Sequence, residues 1–155
     1  QESGVDRAVV AVGGSIGLWG EKPFEDPWRV ALRDPATDGS LGELALQGGF
    51  VSTSGSYEKQ FEEDGTTYHH ILDPDTGYPA QSGLVSVTVW SSSGVLSDAL
   101  STACFVLGLE DSLPLLEEFA SGAVFVTEDN QVYVTENLQD AFSLTAQDYT
   151  LAGTL

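Results

Sequence analysis

The chain has 155 residues, of which 41% are hydrophobic, and its 24 acidic and five basic side chains give a net charge of −19. A chain of this length can bury the core of one domain. Its acidity argues against nucleic acid and anionic lipid as partners, because both would be repelled. No run of 18 or more apolar residues predicts a membrane-spanning helix. Cys104 is the single cysteine, which excludes an intrachain disulfide.

The first half of the chain predicts short strands separated by turns. Four apolar stretches there have strand-like composition: Arg7 to Val12, Trp28 to Leu32, Leu41 to Leu46 and Gly49 to Ser54. The last two are predicted to pair as a hairpin across Gln47 and Gly48. A second hairpin, Tyr57 to Phe61 with Thr67 to Leu72, is predicted around Asp64-Gly65, because Asp-Gly favours a tight turn between strands.

Two motifs with glycine follow predicted strands. Gly13 and Gly14 end the first strand, and paired glycines let the backbone pass close to a ligand or turn with positive φ. Thr53, Ser54 and Gly55 end the fourth strand, where hydroxyls and backbone N–H groups beside a glycine can bind phosphate oxygens. Taken alone, each motif is more often an ordinary turn. The residues themselves leave both interpretations open.

A rigid loop, Tyr68 to Ala80, holds two histidines, two aspartates, two prolines and one glycine. His70 lies where the predicted strand passes into the loop, so its side chain can face a cleft while the sheet anchors its backbone. Without further context, Asp73, Thr76 and Gly77 are turn residues and the two histidines a solvated pair.

The second half predicts one alternating strand, two helices and a closing hairpin. In order these are Val85 to Trp90, Val95 to Leu107, Asp111 to Phe119, and Gly122 to Thr127 paired with Gln131 to Glu136. The first helix is clear because its apolar residues recur three and four positions apart and Gly108 follows it. Pro114 would lie in the first turn of the second helix, where proline is tolerated. The segment after Asn137 shows no assignable pattern.

These elements predict an α+β fold with a largely antiparallel sheet and two adjacent helices near the C-terminal third. A barrel-like β core with the same helices packed outside is the alternative. Neither an internal repeat nor an interdomain linker interrupts the chain, so residues 1–155 are expected to form a single domain.

Asp98 and Thr102 are four residues apart on the first predicted helix, so their side chains share one helical face. A carboxylate and a hydroxyl are oxygen ligands that suit Mg²⁺, which takes its other ligands from water and substrate phosphate. Without other evidence, such a pair is more often a cap-like or solvent-facing pair.

In this order and at this spacing, four motifs resemble the C-terminal half of the FAD:protein FMN transferases, the ApbE-type flavin transferases long labelled thiamine-biosynthesis lipoproteins. The motifs are VGGSI at 12–16, TSG at 53–55, HILDPDTG at 70–77 and SDALSTA at 97–103. The resemblance extends from about Val9 to Val126, and the last two motifs together are specific. Ser15 departs from the pattern, because the family often has an acidic residue there.

The resemblance implies a flavinylation reaction. Family members cleave the pyrophosphate of FAD and transfer FMN, through its phosphate, to a Thr or Ser hydroxyl of an acceptor protein, whereas some hydrolyse FAD. It further implies that Asp98 and Thr102 bind Mg²⁺ and that His70 is the general base for the acceptor hydroxyl. His69 is the competing candidate, but the family's histidine directly precedes the aliphatic-x-Asp-Pro sequence, as His70 does.

The same resemblance implies a set of residues that contact the flavin nucleotide. They are Gly13, Gly14, Thr53, Ser54, Gly55, Asp73, Thr76 and Gly77. Asp73 is expected to hold the loop through turn hydrogen bonds, and Thr76 with Gly77 to form the wall beside the flavin phosphate.

Family members are longer than this chain, and their N-terminal half carries the adenine pocket and a backbone carbonyl that completes the metal site. We therefore expect these residues to supply part of a site and to associate with the N-terminal half at an exposed strand edge. The family also implies an exported, membrane-tethered parent protein. A flavin-nucleotide-binding module without turnover, and an interaction domain, remain the alternatives to an enzyme.

Overall fold

The computed structural model describes residues 4–155, which form twelve β-strands and two α-helices. Residues 1–3 of the predicted single domain lie outside the described residues. The strands are β1 (Ala8–Val12), β2 (Ser15–Trp19), β3 (Trp28–Arg33), β4 (Ser40–Leu46), β5 (Gly49–Gly55), β6 (Gln60–Glu63), β7 (Thr66–His69), β8 (Leu84–Ser91), β9 (Gly122–Thr127), β10 (Gln131–Val134), β11 (Phe142–Leu144) and β12 (Thr150–Thr154). The helices are α1 (Gly94–Leu107) and α2 (Leu109–Glu118).

The strands form two sheets and a separate hairpin. Seven strands lie in the order β1-β2-β5-β8-β9-β10-β12, three lie in the order β11-β4-β3, and β6 pairs with β7. Among residues 4–155 all pairs are antiparallel except β10 with β12. The predicted α+β class is confirmed. The barrel alternative is wrong, because in this part of the chain β1 and β12 end the larger sheet without pairing to each other.

The seven-stranded sheet is the middle of three layers because successive side chains point to opposite faces of a strand. Val124 and Val126 of β9 belong to the core shared with the three-stranded sheet, where Leu44 is fully buried. Phe125, between them, belongs to the core on the other face, together with Phe105 of α1. The sheet is therefore covered by strands on one face and by helices on the other.

The predicted hairpin between β4 and β5 is wrong. β4 pairs with β3 and β11, whereas β5 pairs with β2 and β8. The intervening turn carries the chain from one sheet to the other: Gly49 has a φ of +100°, and Trp90 Nε1 donates to the carbonyl of Gly48 at 2.8 Å. Two apolar strands separated by glycine predict a hairpin and a crossover equally well, because the alternating pattern does not identify the partner strand.

The other two predicted hairpins are present, although the strands of the first are Gln60–Glu63 and Thr66–His69 and not Tyr57 to Phe61 and Thr67 to Leu72. β6 and β7 pair across Asp64 and Gly65, which both have positive φ, as a type I′ turn requires. β9 and β10 pair around Asn130, which also has positive φ. β10 ends two residues earlier than predicted because a 3₁₀ turn follows at Glu136–Leu138.

Both predicted helices are present. α1 begins after Ser93, whose hydroxyl accepts from the backbone N–H of Leu96 at 3.5 Å, and ends at Gly108, which has a φ of +85°. α2 begins at Leu109, two residues before its predicted start, so Pro114 lies beyond the first turn. Within residues 4–155 the helices are too short or too polar to cross a membrane.

A hydrogen-bonded carboxylate ties the end of β3 to the C-terminal segment. Asp34 Oδ1 accepts from the Tyr149 hydroxyl at 2.6 Å and from the Ala36 backbone at 2.9 Å, and Oδ2 accepts from Thr37 Oγ1 at 2.6 Å. Burial acts to raise the pKa of Asp34, but these hydrogen bonds outweigh it and lower the pKa below its ordinary value. Burial and the bond to Asp34 raise the pKa of Tyr149 to about 12.

These pKa shifts make stability depend on pH at both ends of the range. Because folding lowers the pKa of Asp34, its stabilisation is complete above the unfolded pKa and is lost as the pH falls through the folded pKa. Because folding raises the pKa of Tyr149, its stabilisation is complete below the unfolded pKa and is lost as the pH rises towards about 12.

We predict that Asp34→Asn lowers the free energy of unfolding by about 1–3 kcal/mol at pH 7, because it removes a charged acceptor from three donors. The variant should also lose less stability than the wild type between pH 7 and pH 3. Urea denaturation across this range measures both effects. Asp38→Asn is the control: its ion pair with Arg33 is exposed, so the change should stay below about 0.5 kcal/mol. Parallel pH profiles for Asp34→Asn and wild type would contradict this account.

Candidate functional site

The predicted metal ligands lie on the exposed face of α1. Asp98 and Thr102 are both exposed and one helical turn apart, and Val106, half-buried, follows after one more turn. These three residues are called the metal stripe below, after the role predicted for the first two. Residues 4–155 contain no cluster of three or more His, Cys, Asp or Glu side chains able to hold a metal ion. The stripe therefore offers one carboxylate and one hydroxyl as ligands.

Hydroxyl groups on β5 face this stripe. Ser54 Oγ lies 2.9 Å from Ser101 Oγ and 3.0 Å from Thr102 Oγ1, and either partner can donate in each pair. Ser52, two residues earlier on the same face of β5, lies 2.9 Å from Ser97 Oγ. Small hydroxyl side chains thus fill the contact between α1 and β5. These contacts fix the distance of α1 from β5 and the rotation of α1 about its own axis at Thr102.

Ser15 of β2 connects the metal stripe to the sheet. Its hydroxyl donates to Asp98 Oδ1 at 3.2 Å and accepts from Ser52 Oγ at 2.9 Å. The glycine pair before it forms the β1–β2 turn, in which Gly13 has a φ of +58°. The Gly14 carbonyl accepts from the backbone N–H of Thr53 at 3.1 Å. The predicted glycine motif and the predicted metal residues are therefore neighbours in the structure.

The structure separates the residues of the TSG motif. Thr53 Oγ1 bonds to Thr88 Oγ1 at 2.8 Å, on the opposite face of β5 from Ser54. With Gly13 and Gly14, Thr53 lines a cleft of about 200 Å³ facing β3. A Cβ at Gly55 would collide with the ring of Tyr57, so this glycine is required for packing. Of the three, only Ser54 faces the metal stripe.

The loop after β7 is closed by its own hydrogen bonds. The backbone N–H of Asp73 donates to the Tyr78 carbonyl at 2.9 Å, and that of Gly77 donates to the Asp73 carbonyl at 2.8 Å. Asp73 Oδ1 also accepts from the Asp75 backbone at 2.8 Å. Gly77 has a φ of +71°, which a residue with a side chain would adopt with strain.

This loop lies at the far end of the metal stripe. Asp73, Thr76 and Tyr78 line a cavity of about 330 Å³ together with Val106 of α1. Val106 is four residues beyond Thr102, a rise of about 6 Å along the helix axis. The loop and the metal stripe thus share one face of α1.

The two histidines have different environments because they alternate in an extended segment. His69 is half-buried, packs edge-on against Phe105 with ring centroids 5.6 Å apart, and places Nε2 3.3 Å from the Ala80 carbonyl. A carbonyl only accepts, so Nε2 carries the hydrogen. Nδ1 of His69 is buried and has no hydrogen-bond partner among the described residues. His70, in contrast, is exposed, and its backbone N–H donates to the Lys59 carbonyl at 3.2 Å.

Cys104 lies on the inner side of α1. It is fully buried, and burial raises the pKa of its thiol despite the opposing effect of a hydrogen bond with Ser112. A thiol that stays protonated is a poor nucleophile and a poor metal ligand. Cys104 is therefore a core residue.

Three hydroxyl groups of this region were not predicted from the sequence as part of the site: Ser52, Ser97 and Ser101, all buried. The spacing of these serines in the sequence does indicate that they share a face. The serines at 97 and 101 are one helical turn apart, and those at 52 and 54 share one strand face. Small hydroxyl side chains at inward-facing positions of both elements indicate close packing of the helix on the strand.

Comparison with known proteins identifies the family. Residues 1–126 match the model of the ApbE family, and the chain belongs to that family. The FAD:protein FMN transferase of Treponema pallidum is 40% identical over 148 residues, a match that covers 88% of this chain and 41% of the relative. That of Rhodobacter capsulatus is 38% identical over 139 residues, covering 88% of this chain and 26% of the relative. The chain thus spans less than half the length of these curated relatives.

Solved structures of ApbE proteins share the fold. The crystal structure of the ApbE protein from Thermotoga maritima is 36% identical, with a TM-score of 0.79 over 87% of this chain and 44% of the other. The flavin transferase ApbE from Vibrio cholerae is 28% identical, with a TM-score of 0.74 over 90% of this chain and 46% of the other.

Proposed function

We propose that this chain is part of a Mg²⁺-dependent enzyme that transfers FMN from FAD to a Thr or Ser hydroxyl of an acceptor protein. The proposal is carried by one observation: Asp98, Thr102 and the loop around Asp73 lie along a single exposed face of α1. The relatives' name, FAD:protein FMN transferase, supplies the reaction. Since the chain matches less than half of these relatives, the remainder of the site would come from a longer protein.

Asp98 and Thr102 are the proposed Mg²⁺ ligands. The donor set fits, because Mg²⁺ is commonly held by one or two carboxylates and completes its shell with water and substrate phosphate. Thr102 can donate its hydrogen to Ser54 and keep its lone pairs for the ion. When bound, the ion would neutralise charge on the pyrophosphate.

The distribution of basic side chains supports a role for a cation. All five Lys and Arg residues precede residue 60, so neither α1 nor the loop at 70–80 carries one. Arg29 and Arg33 are also paired with Glu43 and Asp38. Neither α1 nor this loop therefore offers a Lys or Arg of its own to neutralise a pyrophosphate beside the helix, which favours a bound ion.

His70 is the proposed general base. A neutral imidazole at the exposed start of the loop can accept the proton of the acceptor hydroxyl as its oxygen bonds to the FMN phosphorus. The bond between the two FAD phosphates breaks, and AMP leaves. His69 is less suited, because its Nε2–H is engaged with the Ala80 carbonyl and its Nδ1 is buried.

The flavin nucleotide is proposed to contact residues on two sides of the β1–β2 turn. Ser54, Asp73, Thr76 and Gly77 would contact it on the side of α1. Gly13, Gly14 and Thr53 would contact it from the cleft at the sheet edge, where a Cβ at position 14 would lie 3.0 Å from the backbone oxygen of Thr53, a tight contact. Gly55 would contribute by admitting the Tyr57 ring.

We propose that the remainder of the longer protein packs on β1 and β2. Among residues 4–155, β1 pairs with β2 alone, so its other edge is open. Val12 is 72% and Trp19 51% exposed, and Trp19 lines an apolar groove of about 960 Å³ with Val10 and Phe50. Exposed apolar patches and open strand edges of this kind usually mark a protein interface.

We predict that Asp98→Asn, in the longer protein to which the proposal assigns this chain, slows cleavage of FAD to FMN and AMP about 100-fold or more. Stabilisation of charge by a metal is worth several kcal/mol, and 1.4 kcal/mol is a factor of about ten. Cleavage is measured with Mg²⁺ and with EDTA. Asp111→Asn, an exposed carboxylate on α2, is the matched control and should react at the wild-type rate. Wild-type turnover by Asp98→Asn would contradict the proposal.

The same experiment distinguishes the alternatives. Covalent FMN on an acceptor protein indicates transfer, whereas free FMN without labelled acceptor indicates hydrolysis of FAD. Flavin binding without cleavage in the wild type would indicate a binding module.

We predict that His70→Asn slows transfer about 100-fold, the lower range for loss of a general base, while FAD affinity stays near the wild-type value. His69→Asn should instead lower the melting temperature, because it loosens the contact of the loop with Phe105. Fluorescence of covalently bound FMN on denaturing gels measures transfer. Slow transfer by a stably folded His69→Asn, with normal transfer by His70→Asn, would exchange the two roles.

A further inference from the structure

A chain of hydrogen-bonded hydroxyls runs from the buried side of α1 to the Asp98 carboxylate. Ser97 Oγ lies 2.9 Å from Ser52 Oγ, Ser52 Oγ lies 2.9 Å from Ser15 Oγ, and Ser15 Oγ lies 3.2 Å from Asp98 Oδ1. Three elements contribute: α1 supplies both ends, and β5 and β2 supply the middle. The carboxylate is thereby connected to the strand next to the β1–β2 turn.

The direction of these hydrogen bonds follows from the donors available. An ionised carboxylate accepts only, so Ser15 donates its single hydrogen to Asp98. Ser15 can then only accept from Ser52, which must donate to it. Ser97 donates to Ser52 or to the Gly94 carbonyl, which lies 3.0 Å from its hydroxyl. The orientation is therefore determined from Ser52 to Asp98.

Burial makes the inner part of this series of hydrogen-bonded hydroxyls rigid. Ser97 is 0% and Ser52 1% exposed, and a buried hydroxyl that loses its partner costs about 1–3 kcal/mol. Ser15 is half-buried and lies between this fixed pair and the exposed Asp98. A hydrogen bond from a fixed donor restricts the rotation of the Asp98 carboxylate.

We propose that Ser15 is a positioning residue, which holds Asp98 Oδ1 and directs Oδ2 towards a divalent cation. The proposal rests on the proposed metal site at Asp98 and Thr102 and adds a residue that touches neither the ion nor the substrate. With Oδ1 accepting from Ser15, Oδ2 would be the oxygen that Asp98 offers to the cation. Partners that orient a metal-binding carboxylate affect metal affinity without binding the metal.

The test is the affinity of the longer protein for Mn²⁺, a spectroscopically visible substitute for Mg²⁺. It is measured by electron paramagnetic resonance on the wild-type protein and on four variants of it. Ser15→Ala should bind Mn²⁺ about tenfold more weakly, the lower end of the effect of such partners. Ser15→Thr keeps the hydroxyl and should restore the affinity. Asp98→Asn should abolish binding at this site. Ser143→Ala, at an exposed position of β11 in the other sheet, should bind as the wild type does.

The outcomes separate the proposal from the site on which it rests. Equal affinity of Ser15→Ala and wild type, with binding lost in Asp98→Asn, overturns the role of Ser15 and leaves the metal site standing. Equal affinity of wild type and Asp98→Asn overturns the metal site and the role of Ser15 with it. Weak binding by Ser15→Thr as well as Ser15→Ala, with unchanged melting temperatures, also contradicts the role of the hydroxyl. Rescue by Ser15→Thr supports it.

Discussion

The close packing of α1 on β5 is the constraint on which the candidate site depends. Larger side chains at Ser52, Ser54, Ser97 or Ser101 would push the helix away from the strand, because interiors of this density have no spare volume. The hydroxyls also satisfy one another across the contact, so the interface is close-packed without unpaired polar groups there. This inner contact therefore determines where Asp98 and Thr102 lie on the outer face of α1.

The same helix links the two parts of the proposed site. Its N-terminal half presents Asp98 and Thr102, and its C-terminal half packs against the loop through Phe105 and Val106. The loop holds its shape through bonds within itself and through His69, so His70 is presented from a fixed base. An anionic substrate in a chain of net charge −19 also needs a local source of positive charge. A cation on the exposed carboxylate would supply it.

Much of this fold could be predicted from the sequence, because hydrophobic period and turn residues report local structure. The α1 helix, the β6–β7 hairpin and the β9–β10 hairpin follow from such signals. The pairing of β4 with β3 and β11 could not, since partner choice depends on distant segments such as β11, whose pattern is too short to assign. At the site, the pairing of Asp98 with Thr102 follows from helical spacing, whereas the bond from Ser15, 83 positions away, appears only once β2 and α1 are placed together.

The most direct test of the central claim is a crystal structure of the longer protein with FAD and Mn²⁺, in which anomalous scattering locates the ion. We predict an ion bound directly to one oxygen of Asp98 and to Thr102, and the FAD pyrophosphate between the ion and the loop at Asp73. An ion or pyrophosphate located away from α1, for example within the cleft between Gly13 and β3, would contradict the claim that this helix carries the metal site.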